Sequence, residues 1–266
     1  MKFALLWARR VRAIAAAALL AAALPSSLLH AKTPLLPATA AAISGDFAEC
    51  PSFFANGTPP AVQPLPRLRA LCYDAFAVLH NGSTKTPMFV AQRLNRALVE
   101  DADEKRSNRF YADARLPRAE RAELEDYKRS GYSRGHMAPA GDMPTPQAMA
   151  QSFSLANMVP QSIEQNGGPW ARIEQDTRRY ARRAQGDVFI ITGPVYQGEE
   201  HSVGANHVRV PSHLFKLVYD QHDNRAWATG HGNVERLGQL DLAMARGEGE
   251  AADVVGARPH RGDEVG

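Results

Sequence analysis

The chain has 266 residues, 44% of them hydrophobic and 22% charged, with a formal net charge of +3. That length suits one sizeable core and one domain, and no internal repeat suggests an array. Residues 1–31 hold four of the 31 basic side chains (Lys2, Arg9, Arg10, Arg12) and no acid, leaving 27 bases against 28 acids beyond them. The body of the chain carries no global positive field, so a polyanionic partner must be held by a local patch.

In chain order, the first element is a leader. Basic residues precede Ala13 to Leu24, an almost pure Ala/Leu run, and Pro25-Ser26-Ser27 closes it. This reads as a secretory signal peptide over 1–31, cleaved after Ala31, with the Ala38–Ala42 cluster as the alternative cleavage region. The apolar run is too short to span a membrane, which takes about 20 residues. A periplasmic or extracellular protein with no stable membrane association is therefore expected. Residues 32–66, rich in Pro, Ala, Ser and Gly, read as a flexible arm. In an oxidising compartment the two cysteines, Cys50 and Cys72, are expected to form one disulfide, worth roughly 3 kcal/mol on the loop-entropy model. Neither has a Cys or His at ligand spacing, which argues against zinc.

The folded domain is expected over 67–229. Leu71 to His80 alternates as a strand, Asn81-Gly82-Ser83 is a turn, and Pro87 to Leu94 is its partner strand. Glu100 to Arg129 is densely charged with both signs, and Pro117 opens a short helix. Pro146 to Ser154 is a second one. Asn166 sits near the N-cap of the clearest helix, with Pro169 in its first turn, running to about Gln185. Asp187 to Tyr196 is a buried strand, Val208 to Tyr219 supplies one or two more, and Asp223-Asn224 turns into a hairpin. The tail, 230–266, has little apolar periodicity and reads as loosely ordered.

Chemistry concentrates in Tyr132-Ser133-Arg134-Gly135-His136-Met137-Ala138-Pro139-Ala140-Gly141-Asp142. A cation, a residue free of Cβ and an imidazole stand in succession. Asn157, Gln161, Asn166, Glu174 and Arg178 follow. Singly, an Asn or Gln before a helix is more often a cap than a ligand. Glu174 and Arg178 alone would be an i,i+4 surface pair.

Together, Ser-Arg-Gly-His-Met-Ala-Pro-Ala and Asn-Met-Val-Pro-Gln-x4-Asn-x3-Trp-Ala-Arg-x-Glu resemble the non-specific DNA/RNA endonucleases of the ββα-metal (His-Me finger) class, over roughly Leu71 to Trp227. The resemblance implies an α+β fold, with a mixed or antiparallel sheet core, flanking helices and a ββα-metal finger. It also implies a secreted, Mg2+-dependent nuclease, with Mn2+ as the substitute, acting on DNA and RNA. By position, His136 matches the general base of the Asp-Arg-Gly-His signature and Arg134 its arginine. Asn166 matches the direct metal ligand, Glu174 the glutamate near the metal's water shell, and Arg178 the arginine facing the scissile phosphate. Asn157 and Gln161 match polar residues lining the site. Arg109 is the choice for an upstream phosphate-binding arginine, with Arg106 its competitor.

These roles suit the chemistry. Hydrolysis of a phosphodiester needs a base for the water and positive charge on the phosphate. Magnesium keeps several waters and takes few protein oxygens, as a lone Asn carbonyl allows. Eight residues of straight helix turn about 800°, leaving positions 166 and 174 about 80° apart. Activity is expected to fall below about pH 6 as the imidazole protonates.

Ser133 stands where the signature commonly has Asp, which removes a carboxylate from the metal's neighbourhood. With the atypical tail, it motivates the alternative of a catalytically impaired nucleic-acid-binding module. A third reading, a zinc hydrolase built from His201, His207, His213, His222 and His231, fits no zinc spacing.

Overall fold

A computed structural model describes residues 47–233. The leader expected over 1–31 and residues 234–266 of the expected tail lie outside the described residues. The start of that tail is not loosely ordered: residues 230–232 finish the last strand, and Asn233 is fully buried, donating through Nδ2 to the Pro160 and Pro211 carbonyls.

Six antiparallel strands form the central sheet, in the order β1-β2-β3-β6-β9-β10. The first three are β1 (Leu68–Cys72), β2 (Ala77–Asn81) and β3 (Thr86–Leu94). The other three are β6 (Val188–Val195), β9 (His213–Asp220) and β10 (Arg225–Gly232). The single strand expected over Leu71–His80 is instead two. The Tyr73 amide donates to the Phe76 carbonyl at 2.9 Å, reversing the chain at Asp74-Ala75. Alternation continues on both sides of that tight turn, so the period-two pattern conceals it. The turn after β2 is as expected: the Ser83 amide donates to Asn81 Oδ1 at 2.9 Å.

Both faces of the sheet are covered. Leu79, Phe89, Ile191 and Leu217 face Phe47, Phe53 and Phe54 on one side. Val78, Val90 and Leu214 join Met137, Phe153 and Trp170 on the other. That double burial explains the unbroken apolar run at the start of β6. It also corrects the flexible arm expected over 32–66: within its described part, Phe47 and Phe54 are core residues. The expected disulfide joins Cys50 to Cys72, with Cα atoms 5.8 Å apart, and fastens this segment to the end of β1.

The second face carries a buried polar row, Gln92, Thr192 and Lys216, at its centre. Thr192 and Lys216 are register partners. Lys216 Nζ donates to Thr192 Oγ1 at 2.7 Å, and the ammonium lies 5.5 Å from the Trp170 ring centre. Buried polar groups are costly unless paired, and this row lies under the candidate site.

Over that face lies a ββα unit. Strands β4 (Ser133–His136) and β5 (Met158–Gln161) pair antiparallel. Two short helices precede it, α1 (Arg96–Glu100) and α2 (Leu124–Tyr127), and α3 (Pro146–Ser152) lies between its strands. A helical run follows: α4 (Ile163–Gln165), a π-turn over Asn166–Trp170, then α5 (Ala171–Ala181). The cap is Ser162, whose Oγ accepts from the Gln165 amide at 3.2 Å. Asn166 is therefore inside the helical run rather than at its start, and the run ends short of Gln185. Gly167, Gly168 and Pro169 are poor α-formers, and the π-turn accommodates a proline that has no amide to donate. The straight-helix angle between 166 and 174 consequently does not apply. A small hairpin of β7 (His201–Val203) and β8 (Val208–Val210) completes the strands. The fold is α+β with an antiparallel sheet, as expected. No described helix is long and apolar enough to cross a membrane.

Candidate active site

Strand alternation along β4 sends Arg134 and His136 to one side and Ser133 and Gly135 to the other. His136 is 7% exposed. Its Nε2 is buried with no hydrogen-bond partner among the described residues. The imidazole meets the Phe153 ring edge-on, with centroids 5.0 Å apart, and the Phe110 ring at 5.9 Å. Each ring carries a guanidinium: Arg106 lies 5.0 Å over Phe153 and Arg134 lies 4.1 Å over Phe110. Burial, and then the Arg106 charge, push the His136 pKa down to about 3. The imidazole is therefore uncharged across the ordinary pH range, and its Nε2, unpartnered among the described residues, is only weakly basic until an anionic phosphate offsets the Arg106 charge.

The other side of β4 is structural. A Cβ on Gly135 would stand 2.6 Å from Gln161 Cβ, so only glycine lets the two strands close here. Gln161 is fully buried and donates through Nε2 to Gln165 Oε1. Ser133 Oγ donates to the Gln161 carbonyl at 2.8 Å, across the strand pair. The position where the signature has Asp thus points away from the imidazole.

Asn157 is also fully buried. Its Oδ1 accepts from the Ala138 amide at 2.9 Å, and its Nδ2 donates to the Ala138 and Ser152 carbonyls, both at 2.9 Å. Asn157 and Gln161 were expected to touch substrate. Their placement corrects that: both amides are turned into the protein, where they hold the loop and strand that carry His136.

Asn166 is half-buried at the start of the π-turn, and its side-chain amide enters no hydrogen bond among the described residues. Glu174, on α5, is also half-buried, and its carboxyl enters no hydrogen bond among the described residues. Burial raises its pKa to about 7 against the pull of Lys216; Asp142 adds to the rise, while Arg178 and Arg106 oppose it. Arg106 thus acts electrostatically on both His136 and Glu174. Arg178 Nη1 donates to Asp142 Oδ1 at 2.8 Å, so the guanidinium expected to face the phosphate is tied to a buried carboxylate. Gln92 Nε2 reaches the other oxygen of Asp142 at 3.5 Å.

Of the two upstream arginines, the structure brings Arg106 to the site. Both are exposed, but Arg106 lies over the Phe153 ring, whereas among the described residues Arg109 stacks on none of the rings about His136. Sequence reasoning missed Phe110, Phe153, Asp142 and Lys216. Asp142 lies in the central stretch and Phe110 beside Arg109, but nothing local marked Phe153 or Lys216.

The residues fit a hard divalent cation. Asn166 offers an uncommitted amide and Glu174 an uncommitted carboxyl, suited to an ion that keeps its waters. Among the described residues no group of three His, Cys, Asp or Glu could enclose a metal, so the five-histidine zinc reading has no site there.

Known proteins bear on this geometry. A family model for the DNA/RNA non-specific endonucleases matches residues 58–245. The chain is 36% identical over 166 residues to mitochondrial nuclease EXOG of Xenopus laevis, covering 58% of this chain and 46% of that protein. It is 31% identical over 159 residues to mitochondrial endonuclease G of Homo sapiens, covering 56% and 51%. It is 30% identical over 170 residues to nuclease C1 of Cunninghamella echinulata, covering 59% and 67%. The chain thus spans about half the length of most curated relatives it matches. A crystal structure of an EndoG/EndoGI complex shares the fold, with a TM-score of 0.56 at 22% identity over 71% of this chain and 84% of that one.

These relatives overturn the periplasmic or extracellular location, because the frog, human and yeast nucleases are mitochondrial. An acid-free, arginine-rich leader is also what a mitochondrial transit peptide looks like, so its composition does not separate the two addresses. The disulfide then rests on the proximity of its cysteines and not on export. With more than half of the chain matched and a ββα unit presenting the histidine, this protein belongs to the DNA/RNA non-specific endonuclease family.

Proposed function

We propose that the chain is a Mg2+-dependent endonuclease that hydrolyses phosphodiester bonds of DNA and RNA, with His136 as general base. The observation that carries this is the buried imidazole, its Nε2 unpartnered among the described residues, framed by two aromatic rings, each bearing a stacked guanidinium. His136 takes a proton from the attacking water. Arg106 and Arg134 face the phosphate with two positive charges held by stacking, and contacts to phosphate rather than base edges give cleavage without sequence preference. Asn166 would hold the metal through its carbonyl, and Glu174 would orient water in the metal's shell. When bound, the ion supplies positive charge to the phosphate and the leaving oxygen. Asn157, Gly135 and Gln161 fix the loop and strand that carry the base. Arg178, held by Asp142, adds positive charge beside Glu174.

The test is nicking of plasmid DNA and cleavage of RNA by the purified protein, with magnesium and with chelator. Activity on both polymers that vanishes with chelator and in His136→Ala supports the proposal. Magnesium-independent cleavage, or cleavage unaffected by His136→Ala, refutes it. The impaired-module alternative loses its main motive, since Ser133 is bonded across the strand pair on the side away from His136.

A further inference from the structure

Arg134 and Phe110 have a second set of neighbours. Both line a cavity of about 600 Å3 with Asn108, Leu124, Tyr127 and Lys128. Its chemistry is uneven in an informative way. Phe110 and Tyr127 contribute aromatic rings. Leu124, the first residue of α2, adds an apolar wall that is 42% exposed, while Tyr127 on the same helix is buried. Arg134 supplies a cation already flattened against Phe110. Lys128 supplies another, partly offset by Glu125 at 3.1 Å. That surface ion pair is worth little in solvent and can open for a phosphate.

Resting on the nuclease reading above, we propose that this cavity is a nucleobase subsite, taking the unpaired base of a nucleotide adjacent to the scissile phosphate. The volume lies within the usual range for a small-ligand site. Continuity fixes the occupant: the phosphate beside His136 and the cavity share one Arg134–Phe110 stack, so one strand passes from the first to the second. An apolar and aromatic wall recognises the face of a base instead of its edge, and every base has such a face. The subsite therefore contributes affinity without imposing a sequence, as a non-specific enzyme requires. A site of this kind favours single-stranded or locally opened substrate, because a stacked, paired base is not free to enter.

The test uses the dinucleotide TpT and its two analogues that each lack one base, which removes any ambiguity of register. Loss of one particular base should lower kcat/KM about tenfold, mostly through KM, and loss of the other base much less. Leu124→Glu should lower kcat/KM for TpT about tenfold more than for the analogue that lacks the subsite base. Leu124→Ala, a gentler truncation of an exposed side chain, should show a smaller coupling of the same sign. Equal losses for all three substrates in wild type and variants would overturn the subsite, as would insensitivity to removal of either base. Binding of the same dinucleotides to His136→Ala protein reads the subsite without turnover. Base-dependent binding that Leu124→Glu abolishes would uphold it even if the protein proved inactive; base-independent binding would reject it even if cleavage were confirmed.

Discussion

Asn157 and Ala138 bond to each other in both directions, amide to Oδ1 and Nδ2 to carbonyl, each at 2.9 Å. The chain two residues beyond His136 is thereby locked to the end of the loop that leads into β5. Asn157→Ala should strand buried backbone groups at a cost of about 1–3 kcal/mol each before relaxation. Urea unfolding should show the lower midpoint. Steady-state kinetics on the folded fraction should show kcat falling more than KM rises, because the base is displaced while the phosphate contacts persist.

His136→Ala should cost about 10²–10⁴ in rate while nucleic-acid binding is retained. Asn166→Ala should also be slow, but its defect should shrink as magnesium is raised, which that of His136→Ala should not. Since both act on one transition state, the double variant should be far less impaired than the product of the two single losses. A titration of rate against magnesium for all four proteins checks this.

Two titrations in the site run against habit. The imidazole stays neutral down to about pH 3, so its protonation does not produce the loss below pH 6 that the sequence suggested. Glu174, raised to about 7 without metal, protonates first as pH falls, and a cation beside it favours the ionised carboxylate. The acid-side decline of kcat/KM should therefore move to lower pH as magnesium is raised, and Glu174→Gln should be slow and show no such movement. Stability follows the same groups. His136, lowered from 6.5, contributes stability above that value and loses it as pH falls toward about 3. Glu174, raised from 4.5, contributes stability below 4.5 and loses it as pH rises through about 7. The deficit of His136→Ala relative to wild type should thus shrink between pH 7 and pH 5 in thermal unfolding.

Arg106→Ala should reduce kcat/KM on the order of 10²-fold, the scale of one preorganised electrostatic contact. Arg109→Ala, three residues away and stacked on none of the rings about His136, should stay within about twofold. Parallel kinetics of the two variants on one oligonucleotide decide between them, and the reverse ranking would contradict the Arg106–Phe153 stack as a functional contact.

Much of the site was legible because its signature residues are close in sequence: His136 to Glu174 lie in one ββα unit. The strands β3, β6 and β9 were legible as apolar runs ended by turn residues. What escaped had non-local causes. Phe153 reaches the imidazole only once α3 has folded back between the two finger strands, and Lys216 lies under Trp170 only through its register with Thr192. Arg106 meets the Phe153 ring and Arg109 none of the rings about His136, and no charge pattern encodes that. The turn at Asp74-Ala75 was hidden by alternation that continues on both sides of it. Asn157 and Gln161 were singled out by motif position, and a motif says nothing of which way an amide points.

The π-turn at Asn166–Trp170 takes in one residue more than an α-helical turn would. Deleting one residue from Gly167-Gly168 should let the run close toward regular α-helix and remove a flexible glycine from its middle, which by propensity favours the helix by roughly 1 kcal/mol. Because the wide turn already absorbs the extra residue, Asn166 and Glu174 should keep nearly the same bearing about the axis after the deletion. What changes is the width of the turn beside Asn166. The shortened chain therefore separates the direction of that side chain from the room around it.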